Sequence, residues 1–205
     1  MRDAEFSCSG MTVDELHARA EDALRNLGGL CRDEELAVAK KLVACLRDVR
    51  EYEFMGRLAE AVSRRDPKDP TNRRLYAQYL IDTGMATVAV DLLRTLARRL
   101  PKTHPEFAET NGLLGRAYKQ IFYDAGDKTN PGARQALKEA ITAYRRPFEE
   151  NPANTWHGVN LMALLTRARA LGLRIAPGLH PEDIAKRVIA QLDRIPQEKR
   201  DEWFL

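Results

Sequence analysis

The chain has 205 residues, 44% of them apolar and 31% charged, and a formal charge of +3 at pH 7. That is an ordinary globular composition, and its small charge excess does not by itself argue for nucleic acid. No early apolar run marks a signal peptide, and no stretch reaches the roughly 20 apolar residues of a membrane-spanning helix. Residues 1–11 carry no periodicity and read as a disordered N-terminus. Thr12-Val13-Asp14-Glu15 then forms a capping box, and Leu16, Ala20, Ala23, Leu24 and Leu27 supply a helical stripe that Gly28-Gly29 stops. Asp33, Glu34 and Glu35 open the next helix at the positive end of its dipole, and Leu36, Ala39, Leu42, Val43 and Leu46 form its apolar face. Cys8, Cys31 and Cys45 lack zinc-site spacing, and an odd count fits reduced thiols in a cytoplasmic protein better than a disulfide framework.

Further along, helical patterns follow one another with short breaks and no strand-like alternation. Asp69-Pro70, His104-Pro105, Asn130-Pro131 and His180-Pro181 mark helix starts, since proline suits the first helical position. The longest break, Asp124 to Ala133, reads as a loop inserted within a hairpin, because the pattern is the same on both sides.

The breaks repeat. Pro67 and Pro101 stand 34 positions apart, and the unit between them places Tyr76, Ala77 and Leu80 on a first helix. Gly84 falls at the turn, and Ala89, Leu93 and Leu96 on a second helix. The unit before it, Leu36 to Asp69, puts Arg50 where the turn glycine would stand. Leu114, Gly115 and Tyr118 start a third unit, completed after the insertion by Ala140, Tyr144 and Pro152. Trp156, Val159, Asn160 and Ala163, with Ala185, Ile189 and Leu192 before Pro196, make a fourth.

Over roughly residues 33 to 196 this pattern resembles tetratricopeptide repeats. The resemblance implies an all-α, right-handed superhelix of about four to five hairpins, in one domain over 12–205 that continues past Leu205. The expected continuation rests on Trp203, Phe204 and Leu205, which a further helix would bury, and Trp156 and Tyr118 should lie buried between units. A narrower likeness covers about 50 residues, from Gly112-Leu113-Leu114-Gly115-Arg116-Ala117-Tyr118-Lys119 through Asn151-Pro152 to Gly158-Val159-Asn160-Leu161. These residues resemble the TRAF-binding helical region of apoptosis signal-regulating MAP kinase kinase kinases and its bacterial relatives. That likeness implies a regulatory scaffold.

No phosphate loop, nucleophile elbow or zinc-protease helix is present, and paired acids such as Glu149-Glu150 point about 100° apart on a helix. The chain therefore reads as a non-enzyme without metal or cofactor. In the repeat family the first helix of each hairpin lines the concave groove. The corresponding places here carry Lys40, Arg47, Arg74, Gln78, Ile81, Arg116, Lys119, Asn154 and His157. Five of these nine are cationic, which points to an acidic peptide segment or partner domain as the ligand, and the resemblance to the TRAF-binding region implies a signalling or defence protein around it. The chaperone-tail clamp is not matched, because Ala44, Leu75, Glu109 and Leu113 replace all of it but Lys40. Two alternatives stand beside this reading. One is a non-catalytic subunit of a multi-protein enzyme. The other is a nucleic-acid-associated repeat using Arg64, Arg65, Lys68, Arg73, Arg74, Arg94, Arg98 and Arg99. The second lacks the interleaved aromatic residues on which single strands stack.

Overall fold

The computed structural model of the chain describes residues 8–29, 31–175 and 178–195, and all regular structure among them is α-helix. The capping box acts as its spacing requires. The Glu15 amide donates to Thr12 Oγ1 at 3.3 Å, and the Thr12 amide donates to Glu15 Oε2 at 2.8 Å, opening α1 (Val13–Gly28). There follow α2 (Asp33–Asp48), α3 (Tyr52–Arg65), α4 (Pro70–Asp82) and α5 (Ala86–Arg99). The remaining helices are α6 (Glu106–Asp124), α7 (Pro131–Glu150), α8 (Thr155–Ala170) and α9 (Pro181–Leu192). Pro70, Pro131 and Pro181 each open their helix, as expected. Pro105 comes one place earlier than expected, at the cap of α6, where His104 Nδ1 accepts the Glu106 amide at 3.0 Å.

Three helices end by one device. Arg50, Gly84 and Gly172 stand two places past α2, α4 and α8 with φ of 65°, 82° and 62°. The next residue's amide returns to the last turn: Glu51 to the Leu46 carbonyl at 2.8 Å, Met85 to Leu80 at 2.7 Å, Leu173 to Ala168 at 2.9 Å. This is the Schellman closure, which satisfies orphan carbonyls and reverses the chain. Arg50 takes the glycine's place without a glycine's freedom.

The α6–α7 connection lacks that closure. Its break ends at Asn130 instead of Ala133, because Asn130 Oδ1 accepts the Ala133 amide at 2.8 Å and starts the helix there. Asp127 accepts from the Thr129 amide at 2.7 Å and hydroxyl at 2.6 Å, and Lys128 Nζ donates to the carbonyls of Tyr123 and Ala125.

The chain divides into two compact units, Met1–Leu92 and Leu93–Leu205. In the first, α1 packs on α2 and α3, and α3 on α4, around Leu16, Leu42, Leu46, Met55, Leu58 and Leu75. In the second, α6 packs on α7, α7 on α8 and α8 on α9, around Phe122, Leu137, Tyr144, Phe148 and Leu161. Each fully buried side chain of this size contributes about 1.5–3 kcal/mol.

The cysteines depart from expectation. Cys8 and Cys45 are joined in a disulfide, and only Cys31 is unpaired among the described residues. Residues 8–11, expected to fray, instead form a turn in which the Met11 amide donates to the Cys8 carbonyl at 3.1 Å. The reduced-thiol reading failed because it weighed only count and spacing, whereas α1 brings residue 8 back beside α2. Cysteine usage therefore no longer argues for a compartment. Trp203, Phe204 and Leu205, on which the expected continuation rested, and Pro196 lie outside the described residues.

Candidate functional site

Two glycines on α6 decide what lies beside it. A Cβ at Gly115 would fall 2.7 Å from the Tyr144 ring of α7, so that ring sits directly against the bare helix backbone. A Cβ at Gly112 would fall 2.6 Å from Trp156 Cζ3 and 2.8 Å from His157 Nε2, so α8 leans on the same helix one turn earlier. The Trp156 and Tyr144 rings meet edge to face, 5.5 Å between centroids.

On this base sits a cationic and aromatic face. Lys119 Nζ donates to Asn160 Oδ1 of α8 at 2.8 Å and lies 5.9 Å from the centre of the Tyr144 ring. Burial, then the like charge of Arg116, holds its ammonium below the usual lysine range. Burial pushes the Tyr144 phenol up, against the opposing charge of Arg116. That phenol is fully covered, with no hydrogen-bond partner for its oxygen among the described residues. Trp156 was expected to be buried and is not: it is 46% exposed, because Gly112 takes one edge of the ring and leaves the rest open. Val159, one turn on, is equally exposed. Tyr118, by contrast, is buried as expected.

The other predicted groove residues fare differently. His157 is 3% exposed and faces the inside of its unit. Its Nε2 lies 3.0 Å from the Ala108 carbonyl, which only a protonated Nε2 can satisfy. Burial, only partly offset by that bond and by Glu109, holds its pKa below the ordinary histidine value. It is a neutral packing residue, and its place in the first turn of α8 did not reveal what covers it. Asn154 is the N-cap residue of α8, its Nδ2 donating to the Pro147 carbonyl at 3.1 Å.

In the first unit, Arg74 is buried at 7% exposure, against the expectation of an open groove position. Gln78 is half-buried on the same helix, and Arg47 pairs with its neighbour Asp48 at 2.8 Å. Lys40 bridges Asp66 at 2.6 Å and Asp69 at 2.9 Å. Burial alone would lower its pKa, and the two carboxylates outweigh that and raise it. Since Asp69 also caps α4 through the Asn72 amide at 3.1 Å, Lys40 is a clasp between α2 and the α3–α4 turn. Of the nine predicted residues, Arg116 and Lys119 are brought together on a half-buried face. Sequence reasoning missed Tyr144 and Asn160 as its supports. The signal for Tyr144 was present as Gly115 on α6, whose bare backbone its ring covers, whereas no local signal marked Asn160.

Among the described residues no group of acids, histidines and cysteines could hold a metal, and no helix is long and apolar enough to cross a membrane. A thermophilic tetratricopeptide-repeat protein of Thermus thermophilus superposes with a TM-score of 0.60 at 20% identity, over 77% of this chain and 75% of that one. A double mutant of MamA RS-1 matches with a TM-score of 0.57 at 14% identity, over 88% and 96% of the two chains. MamA from Desulfovibrio magneticus RS-1, residue 41 to its end, gives 0.54 at 14% identity over 88% and 94%. At such identities the likeness is one of fold, the helical-repeat solenoid read from the sequence. No curated protein matches the chain. A family model does, across residues 51–165, which is more than half of it and holds Gly112 and Gly115 with the aromatic rings that pack on them. The chain belongs to the Tetratricopeptide Repeats-Sensor family.

Proposed function

We propose that the protein is a non-catalytic regulatory scaffold that captures an acidic peptide segment on the α6–α8 face, within a larger signalling or defence assembly. Tetratricopeptide folds are protein-interaction scaffolds, and the sensor in the family's name fits a regulatory part. One observation carries the choice of face. The Lys119 ammonium is half-buried beside an amide, a phenol ring and a second cation, and no carboxylate partners it among the described residues. A carboxylate from a partner would complete it, while the open Trp156 and Val159 offer apolar contact alongside. The basic groove is thereby narrowed to this stretch, since Lys40 and Arg47 already hold acids and Arg74 and His157 are covered.

The nucleic-acid alternative has less support. Arg65 Nε donates to the Leu27 carbonyl at 3.0 Å, Arg64 pairs with Glu60 at 2.6 Å, and Arg73 donates to the Pro67 carbonyl at 3.1 Å. Arg65 and Arg73 are thus engaged at helix ends and turns, and Arg64 in a pair along α3.

The test is a titration with a synthetic glutamate-rich peptide, read by Trp156 emission in a Trp203→Phe background. Lys119→Glu should weaken binding roughly tenfold or more, as for a lost charge-assisted contact, without altering the helical content. Unchanged affinity would sink the assignment of this face. Single-stranded DNA binding instead, with a steep salt slope, would favour the alternative.

A further inference from the structure

The Lys119 face lies close to where the chain leaves α9. Helices α8 and α9 run antiparallel: Arg169, near the end of α8, pairs with Glu182, at the start of α9, its Nη2 donating to Oε2 at 2.8 Å. At the other end of the pair Gly158 meets Val188, where an added Cβ would fall 2.5 Å from Val188 Cγ2. The last turn of α9 therefore lies beside the first turns of α8, which carry Trp156, Val159 and Asn160. Ile195 is seven positions past Val188, about 10 Å further on at helical rise. Amide bonds from Asp193 to the Ile189 carbonyl and from Ile195 to Leu192 keep that stretch compact. Trp156 stands about 200° around α8 from Gly158, so a segment leaving Ile195 for it has to round one helix, a width of about 10–12 Å. The six residues from Ile195 to Asp201 span up to about 20 Å, which is enough.

What that segment carries matches the face. Asp201 and Glu202 supply two carboxylates, and Trp203, Phe204 and Leu205 follow with three large apolar side chains. The face calls for both kinds. Lys119 Nζ has no carboxylate partner among the described residues, Arg116 adds a second cation beside it, and Trp156 and Val159 are each 46% exposed. Tethering decides between this segment and the same segment of a second copy. A short tether holds its ligand at an effective concentration of about 1 mM, which a second copy in dilute solution does not reach.

We propose that the α6–α8 face is covered from within the chain: Asp201-Glu202-Trp203-Phe204-Leu205 docks on it, carboxylates to Lys119 and Arg116 and aromatic side chains to Trp156 and Val159, and an outside acidic peptide must displace it. The proposal rests on the peptide-binding reading of this face and names its regulation. Carbodiimide coupling tests the contact, run on an equal mixture of ordinary and isotope-labelled full chain. The reagent activates a carboxylate, and attack by the Lys119 amine leaves an amide while the activating group departs as its urea. Peptide mapping should find Lys119 joined to Asp201 or Glu202, both halves of the linked peptide carrying the same label. No such link, or mixed-label links as frequent as same-label ones, overturns the proposal. Displacement is read separately by Trp156 emission with the glutamate-rich peptide. Releasing the segment by Asp201→Asn, Glu202→Gln, Trp203→Ser and Phe204→Ser together should tighten that peptide roughly tenfold or more relative to the Trp203→Phe chain, because the internal competitor is gone. Equal affinity overturns the proposal and leaves the peptide-binding reading standing; no binding by either chain removes both. Matching circular dichroism of the two chains separates a released segment from a changed fold.

Discussion

Arg50 sits in the left-handed backbone region at φ 65°, where an L side chain costs about 1–2 kcal/mol. The same place after α4 and α8 holds glycine, so the conformation is imposed by the Schellman closure and not chosen by the residue. Replacing Arg50 by Gly relieves that strain, and the greater freedom of glycine in the unfolded chain returns about 0.5–1 kcal/mol of it. Arg50→Gly should therefore stabilise the first unit by about 0.5–1 kcal/mol, seen as a higher urea midpoint with an unchanged slope. His157 gives a residue-scale dependence on pH. Its folded pKa is held below the ordinary value of about 6.5, so above that pH both states are neutral and the group contributes no slope. As pH falls below about 6.5, the unfolded chain takes up a proton that the folded chain resists, and stability declines. His157→Gln keeps an N–H for the Ala108 carbonyl and should flatten the decline of the urea midpoint below about pH 6.5.

At the scale of elements, the spacing of α6 from its neighbours is set by what its glycines lack. Adding one methyl at Gly115 puts a carbon 2.7 Å from the Tyr144 ring, which is wholly enclosed and has nowhere to turn. Gly115→Ala should cost about 1–3 kcal/mol by overpacking. Trp156→Ala gives the contrast. With the ring 46% exposed, its loss should cost about 1–2 kcal/mol instead of the 3–5 of an enclosed aromatic. Chemical denaturation of the two variants side by side checks the order. If Trp156→Ala proves the more damaging, the ring is not where its exposure places it.

For the whole molecule, what the sequence disclosed follows from the range of the interactions involved. Helix starts at Thr12, Asn130, Pro70 and Pro181 were legible because caps are local, decided within four residues. The hairpin turns were legible because Gly84 and Arg50 stand one repeat period apart, so a non-glycine could be placed by its neighbour. The site was read less well. A position on a helix gives a direction at 100° per residue, but not the neighbour that closes over it. Arg74 and His157 hold helix positions that the repeat pattern assigns to a groove and are covered all the same. Lys40 was correctly placed on its helix, yet the Asp66 and Asp69 that claim it arrive from a turn 26 or more residues away.

The Cys8–Cys45 bond joins positions 37 residues apart, so α1 and most of α2 lie inside a ring of covalent bonds. Cutting a ring once opens it without releasing either part. Arg25 and Arg32 are exposed within that ring, flanking the turn between its two helices. Brief trypsin treatment at either site should leave a chain that migrates as a single band without reductant and parts into two with it. Two bands without reductant would show that the thiols were never joined. The bond would thus let the N-terminal helix remain attached to its array after a peptide bond has been lost, a tolerance to nicking that helical packing alone does not provide.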